Sequence, residues 1–150
     1  MLGFGAARVQ NVRMSFTESV RTCIGKFTTF DGRATRSEFW WFYLFVLLVG
    51  LVGYIPIFLL TLIGAASDGD PGVVGGIFSI LSVIFWILWI IVVIALYIPL
   101  LAVGSRRLHD RGQSGWLQLL LLVPCGNIVL IVLWALEGTP GDNAYGPKPA

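Results

Sequence analysis

Hydrophobic residues dominate this chain, and three long stretches contain no Asp, Glu, Lys or Arg. These stretches cover residues 39–67, 71–105 and 112–136. A helix of about 20 apolar residues crosses about 30 Å of hydrocarbon. The pattern therefore predicts an all-α integral membrane protein with three transmembrane helices. Their expected spans are about 39–63, 77–103 and 116–136.

A short helix is predicted before the first span. Ser15 and Glu18 have the spacing of a capping box, in which the N-cap hydroxyl and the carboxylate each accept a backbone N–H. Phe16, Val20 and Ile24 follow at helical spacing, whereas most charged residues fall elsewhere on the helical wheel. This pattern is typical of an amphipathic helix that lies at the membrane interface, or packs on the ends of the spans.

The start of the first span has two local signals. Thr35 and Glu38 form a second potential capping box. The aromatic run 39–43 follows, and such rings prefer the headgroup level of a bilayer. We therefore expect the run to anchor this end of the span.

The third span contains an unusual polar interruption at Pro124–Asn127. One interpretation, which the length favours, is a kinked crossing helix whose Asn127 amide bonds a neighbouring span. The other is a re-entrant hairpin, with two arms of roughly 13 Å that reach less than halfway across the hydrocarbon. Only the hairpin returns the C-terminus to the side from which the segment started.

Composition agrees with a membrane location. The chain of 150 residues is 57% hydrophobic and only 12% charged, and its mean hydropathy is +0.85. Soluble domains are about half apolar and a quarter charged. These values exclude a soluble globular enzyme, a disordered chain and a nucleic-acid-binding module.

The charged residues predict an orientation. Basic residues precede the first span and also fill the second connection, whereas the first connection carries only Asp68 and Asp70. Cytoplasmic loops are rich in Lys and Arg, so the N-terminus is expected in the cytoplasm. Three crossings would then place the C-terminus outside.

The remaining expectations concern organisation and cofactors. Met14 is a plausible start, so residues 1–14 are interpreted as an upstream extension and 15–150 as a single membrane domain. Asp68 and Asp70 supply too few ligands for calcium, and we expect no metal or cofactor. Cys23 and Cys125 should lie at different depths, which makes a disulfide improbable.

The polar cluster 104–116 is the main candidate for chemistry. Arginine makes bidentate contacts to phosphate oxygens, and arginines at a span end also suit the helix dipole. The cluster is therefore either a topology signal or a site for headgroups or a partner. The candidate site residues are Arg33, Arg36, Arg106, Arg107, His109, Asp110 and Arg111.

Three ordered motifs resemble the bacterial family called domain of unknown function 805 (DUF805). They are GRATRSEFW at 32–40, RRLHDxGxSGW at 106–116 and GTxGxNxYGP at 138–147. Lys148 departs from the family, whose tail often has an acidic residue there. The resemblance implies a multi-pass protein of the bacterial cytoplasmic (inner) membrane, and it implies no activity.

The leading functional hypothesis is a non-enzymatic protein that binds anionic lipid headgroups or another membrane protein. The alternative is a small homo-oligomeric transporter or channel with Asn127 in the membrane interior, because ion pathways usually place polar groups there. An enzyme that uses His109 and Asp110 is the least favoured hypothesis, because no nucleophile is evident beside them.

Overall fold

The computed structural model describes residues 14–66 and 73–149 of the chain. Residues 1–13 of the expected extension at 1–14, and the acidic connection with Asp68 and Asp70, lie outside these residues. The described part contains four α-helices and one 3-10 helix. They are α1 (Phe16–Gly25), α2 (Arg36–Ala66), α3 (Val73–Asp110), the 3-10 helix (Gly115–Leu122) and α4 (Gly126–Ala135).

Helix α1 confirms the predicted amphipathic helix and its capping box. The Glu18 amide donates to Ser15 Oγ at 3.4 Å, and the Ser15 amide donates to Glu18 Oε2 at 2.9 Å. The hydrogen bonds lower the pKa of Glu18 from its usual value. The helix buries Ser19 and Cys23 and leaves Ile24 exposed. It therefore packs on the longer helices through small side chains and keeps apolar surface outside.

Helices α2 and α3 form an antiparallel pair that contains the first two predicted spans. Both are long and apolar enough to cross a membrane, with mean hydropathies of 2.6 and 3.0 over their most apolar windows. Only 11% and 0% of those windows are buried, unlike the core helices of a soluble protein. An apolar surface of this size needs a hydrocarbon surrounding. Gly53 lets the helices approach closely, because a Cβ there would overlap the Trp89 ring.

The first turns of α2 depart from the expected capping and anchoring. The Glu38 amide donates to Thr35 Oγ1 at 3.1 Å, but the Glu38 carboxylate accepts from Arg106. Phe39 and Phe42 are fully buried, and the Phe39 ring lies 4.7 Å from Trp134. The aromatic run thus contributes to the core as well as to the surface, because the hairpin described next packs against it.

The third apolar segment does not form one crossing helix, so three transmembrane helices are not confirmed. The 3-10 helix leads away from the end of α3, with Gln118 Nε2 donating to the Leu101 carbonyl at 2.9 Å. Helix α4 returns, with Trp134 Nε1 donating to the Gly104 carbonyl at 3.1 Å. Both arms therefore lie beside the last turns of α3, and the segment follows the hairpin path, which was the second of the two interpretations.

The tip of this hairpin explains why the segment turns back. Pro124 cannot continue a hydrogen-bonded helix, and Cys125 takes a left-handed conformation with φ of 64°. Gly126 then meets the other arm so closely that a Cβ would overlap the Leu120 carbonyl oxygen. The polar interruption is therefore a tight reversal, which a kinked straight helix would not need.

We predict that Gly126→Ala destabilises the hairpin. The added methyl would collide with backbone of the opposite arm, which cannot rotate away, and such overpacking costs about 1–3 kcal/mol. The measurement is the thermal unfolding midpoint in detergent. Gly50→Ala in α2 is the control, since a Cβ there meets nothing within 4 Å. Equal or absent shifts for the two variants would contradict the tight reversal.

Candidate functional site

The polar motifs of the sequence meet at one end of the helix pair. The Ala34 amide donates to the Arg106 carbonyl at 3.1 Å, and the Thr139 amide donates to the Asp110 carbonyl at 2.9 Å. The segment before α2, the end of α3 and the C-terminal tail therefore share one face. We call this assembly the polar cap. Its members are Arg33, Arg36, Glu38, Arg106, Arg107, His109, Asp110, Arg111 and the tail residues 137–147.

Arg33 ties the C-terminal tail to the rest of the cap. Its side chain is buried, and Nε donates to Asp110 Oδ1 at 2.9 Å. Nη1 donates to the Gly141 carbonyl at 2.7 Å, and Nη2 donates to the Thr139 carbonyl at 3.0 Å. All three guanidinium nitrogens thus bond to groups of the protein. Arg33 therefore stabilises the folded cap, and its charge is not available to an outside ligand.

Asp110 accepts from two guanidinium groups. Arg33 binds one carboxylate oxygen, and Arg107 binds the other in a close ion pair. The side chain is nearly inaccessible, so its charge needs both partners. Gly138 passes directly over it, and a Cβ at that position would overlap Asp110 Oδ2. The glycine at the start of the tail is therefore needed for closure of the cap.

His109 is largely buried, with 9% of the residue exposed. Its ring stacks on Tyr145, with centroids 3.9 Å apart and planes 3° from parallel. Nδ1 lies 3.2 Å from the Gly32 carbonyl, which can only accept, so Nδ1 carries the proton. Within residues 14–66 and 73–149, no three His, Cys, Asp or Glu side chains group closely enough to hold a metal.

A second buried ion pair joins α1 to the cap. Arg106 is 1% exposed, and its Nη1 donates to Glu38 Oε1 at 2.7 Å. Ser19 Oγ donates to the Glu38 carbonyl at 2.5 Å, and Cys23 Sγ lies 3.9 Å from Oε1. Burial, reinforced by the Glu38 charge, raises the pKa of Cys23 to about 12. This thiol therefore stays protonated and unreactive at neutral pH.

Three arginines cover the C-terminal end of α4. The last carbonyls of any helix lack partners within the helix and carry partial negative charge. Arg107 Nε donates to the Trp134 carbonyl at 3.0 Å and Nη2 to that of Leu136. Arg36 Nε adds a longer bond of 3.4 Å to the Leu136 carbonyl. The third arginine is Arg111, whose Nη1 donates to the Leu133 carbonyl, also at 3.4 Å. The C-terminal end of the hairpin is thus stabilised by hydrogen bonds from arginines that lie far from it in the sequence.

The structure brings together all the candidate residues except Asn127. Arg33, Arg106 and Arg107 are buried, whereas Arg36 is exposed and Arg111 is half-buried. Asn127 lies at the remote hairpin tip, where its Oδ1 accepts from the Ile128 amide at 2.9 Å. The bond to a neighbouring span that we expected for Asn127 is absent from the hydrogen bonds of the described residues, in which the side chain bonds only to the adjacent residue of its own helix.

Sequence reasoning missed several residues that complete the cap. Asn143 Nδ2 donates to the His109 carbonyl at 2.8 Å and to Thr139 Oγ1 at 3.0 Å. Tyr145 covers the His109 ring, and Glu38 was assigned only to a capping box. The tail motif contained the signal, since Thr139, Asn143 and Tyr145 are all among its defining positions.

Two long apolar helices, a re-entrant hairpin and a polar cap define a helical integral membrane protein. The chain belongs to the family described as Protein of unknown function (DUF805), whose model matches residues 27–147. This range contains the whole polar cap. The family resemblance of the three motifs is therefore confirmed.

Two curated relatives come from Escherichia coli (strain K12). Inner membrane protein YhaH is 46% identical over 57 residues, which are 37% of this chain and 47% of the relative. Inner membrane protein YhaI is 47% identical over 57 residues, which are 37% of this chain and 48% of the relative. The chain thus spans about half the length of the curated relatives it matches. No solved structure matches significantly. The family and the apolar helices together confirm the prediction of an inner-membrane, transmembrane protein.

We predict that Asp110→Asn strongly destabilises the folded protein. Loss of this charge leaves two buried guanidinium groups uncompensated, and breaking a buried pair costs about 3–5 kcal/mol. The thermal unfolding midpoint in detergent measures the effect. Glu137→Gln is the matched control, because its pair with Arg36 is 3.5 Å long and exposed, and such pairs contribute about 0–1 kcal/mol. Similar small shifts in both variants would show that Asp110 does not hold the cap together.

Proposed function

We propose that the polar cap binds anionic phospholipid headgroups without catalysing a reaction. The observation that supports this most is the accessibility of two arginines on its rim. Five arginines in the cap face four carboxylates, which are Glu38, Asp110, Glu137 and Asp142. Glu38 and Asp110 are buried and accept from the buried arginines. Arg36 and Arg111 remain accessible at the end of helices that reside in a membrane, and Arg36 has only an exposed carboxylate as its ion-pair partner.

Arg36 and Arg111 are the residues proposed to contact the phosphate. The Arg36 side chain is 44% exposed, and its partner Glu137 is exposed at 3.5 Å, so that pair is weak. Arg111 makes one long bond to the Leu133 carbonyl. Both side chains border the C-terminal end of α4, and both guanidinium groups can make bidentate contacts to phosphate oxygens. Another acidic membrane protein is the second class of partner that this rim fits.

We propose that the cap faces the cytoplasm in a multi-pass protein. Its arginines, together with Arg21 and Lys26 beside it, satisfy the positive-inside rule. With two crossing helices and a hairpin, the N-terminal segment and the tail lie on the same side. The cap is then adjacent to the leaflet surface that attracts basic residues by about 1 kcal/mol each.

Binding is favoured over catalysis because His109 is largely buried and already engaged by groups of the protein. Tyr145 stacks on its ring, Nδ1 donates to the Gly32 carbonyl, and a Cβ at Gly115 would lie 3.2 Å from Nε2. A general base must reach the proton it removes from a substrate. A channel lined by Asn127 has no supporting observation, since the amide oxygen accepts from its own helix.

The test compares two pairs of charge-removing substitutions. Arg36→Gln with Arg111→Gln removes the proposed contacts, and Arg21→Gln with Lys26→Gln removes the same charge from α1. We expect the first pair to weaken retention of phosphatidylglycerol in native mass spectrometry by at least about thirtyfold, because it removes two bidentate phosphate contacts in addition to the general attraction of about 1 kcal/mol for each charge. The second pair should have a smaller effect.

Equal losses in the two pairs would mean that only total charge matters and that the rim is no specific site. Undiminished retention in the first pair would contradict headgroup binding at Arg36 and Arg111. Thermal unfolding of each variant checks that the fold is kept. This is expected because Arg36 and Arg111 make only long bonds of 3.4 Å to the end of α4, where the shorter bond of Arg107 remains. Arg106 and Arg107 are unsuitable for this test, because their removal breaks buried pairs.

A further inference from the structure

We infer that the protein is wedge-shaped within the bilayer and prefers membranes curved so that the leaflet beside the polar cap is expanded. The inference does not depend on headgroup binding. It follows from how the helical mass is divided between the two halves of the membrane, and from the apolar surface that fixes the hairpin in the hydrocarbon.

The half of the membrane beside the cap contains most of the packed elements. The 3-10 helix lies along the end of α3 at Leu101, and α4 lies along it at Gly104. Helix α1 packs near the start of α2, where the rings of Phe16 and Phe45 are 6.3 Å apart. Four rods, namely α2, α3 and the two hairpin arms, therefore share this half, with α1 at its edge.

The arm lengths confine the hairpin to this half. The 3-10 helix has 8 residues and spans about 16 Å at about 2.0 Å per residue. Helix α4 has 10 residues and spans about 15 Å at 1.5 Å per residue. Half of the hydrocarbon thickness is about 15 Å. The tip at Pro124 and Cys125 therefore reaches the bilayer centre and stops there.

The other half contains only α2 and α3 among the described residues. Here the helices still touch, since a Cβ at Gly64 would lie 3.7 Å from Ser79 Oγ. Their remaining surface is exposed and apolar, as at Leu62 and Ile80. With helices about 10 Å across, the cross-section is about twofold larger beside the cap than in the opposite half.

The difference in cross-section acts on the lipid only if the hairpin lies within the hydrocarbon of the membrane. Its outer surface is apolar, with Leu122 82% exposed and Ile128 59% exposed. In water such surface costs about 25 cal/mol for each Å². The arm ends are held by the cap, and the amide oxygen of Asn127 at the tip accepts from the Ile128 amide. Acyl chains of the cap-side leaflet are therefore the natural surroundings of the hairpin.

The test uses the wild-type protein in vesicles of neutral phosphatidylcholine, from which narrow membrane tubes are drawn. The protein is inserted in one orientation, cap outward or cap inward, as verified by protease digestion of the tail. Curvature expands the outer leaflet of a tube. We expect the ratio of protein density on the tube to that on the parent vesicle to exceed one with the cap outward and to fall below one with the cap inward.

Comparison of the two orientations needs no mutant, so misfolding cannot imitate the result. Equal ratios in both orientations, or the reverse order, would overturn the wedge. A second measurement checks immersion. A fluorophore on exposed Cys125, for which buried Cys23 does not compete, should be quenched most by lipids labelled near the end of the acyl chain. Strongest quenching by headgroup-labelled lipids would equally overturn it.

Discussion

The buried carboxylate of Asp110 is the interaction on which the rest of the structure depends. It accepts from Arg33, which precedes the first long helix, and from Arg107, which also donates to carbonyls at the end of the hairpin. The backbone carbonyl of Asp110 also accepts a hydrogen bond from the Thr139 amide of the tail. One negative group thus joins segments that are distant in the chain, and the low accessibility of the site makes each charge dependent on the others.

This arrangement also solves a problem that the membrane imposes on a short helix. Helix α4 ends where its last carbonyls lack partners, and an unpaired polar group is costly away from water. Arginine has several donors on a long, partly apolar side chain, so it can reach those carbonyls and remain paired with a carboxylate. The hairpin and the polar cap are therefore one structure, since neither has its polar groups satisfied without the other.

Much of the fold could be predicted from the sequence because the signals were local. The charge-free stretches predicted α2 and α3, and the spacing of Ser15 and Glu18 predicted α1. The path of the third segment could not be predicted, because its length permits both a crossing and a hairpin. The outcome depends on the contact of Gly126 with the Leu120 carbonyl, which is a property of the folded chain.

The candidate site was predicted in its membership and less well in its roles. The motifs pointed to the correct arginines, but their sequence positions do not reveal which ones become buried. Arg33 and Arg106 have the same chemistry as Arg36, yet only the last is exposed once the tail closes. Arg33 is buried by contacts with Asp110 and the tail, and Arg106 pairs with Glu38, so burial depends on distant parts of the chain and not on any local pattern.

The most direct test of this account is the side of the membrane on which the two ends of the cap lie. Asp31→Cys and Lys148→Cys, each in a Cys125→Ser background, place single accessible thiols before α2 and in the tail, since Cys23 is buried. A membrane-impermeant maleimide, applied to sealed inside-out vesicles, should label both positions, and applied to right-side-out vesicles it should label neither. Labelling of the two positions from opposite sides would mean that the third segment crosses the membrane and that no polar cap exists.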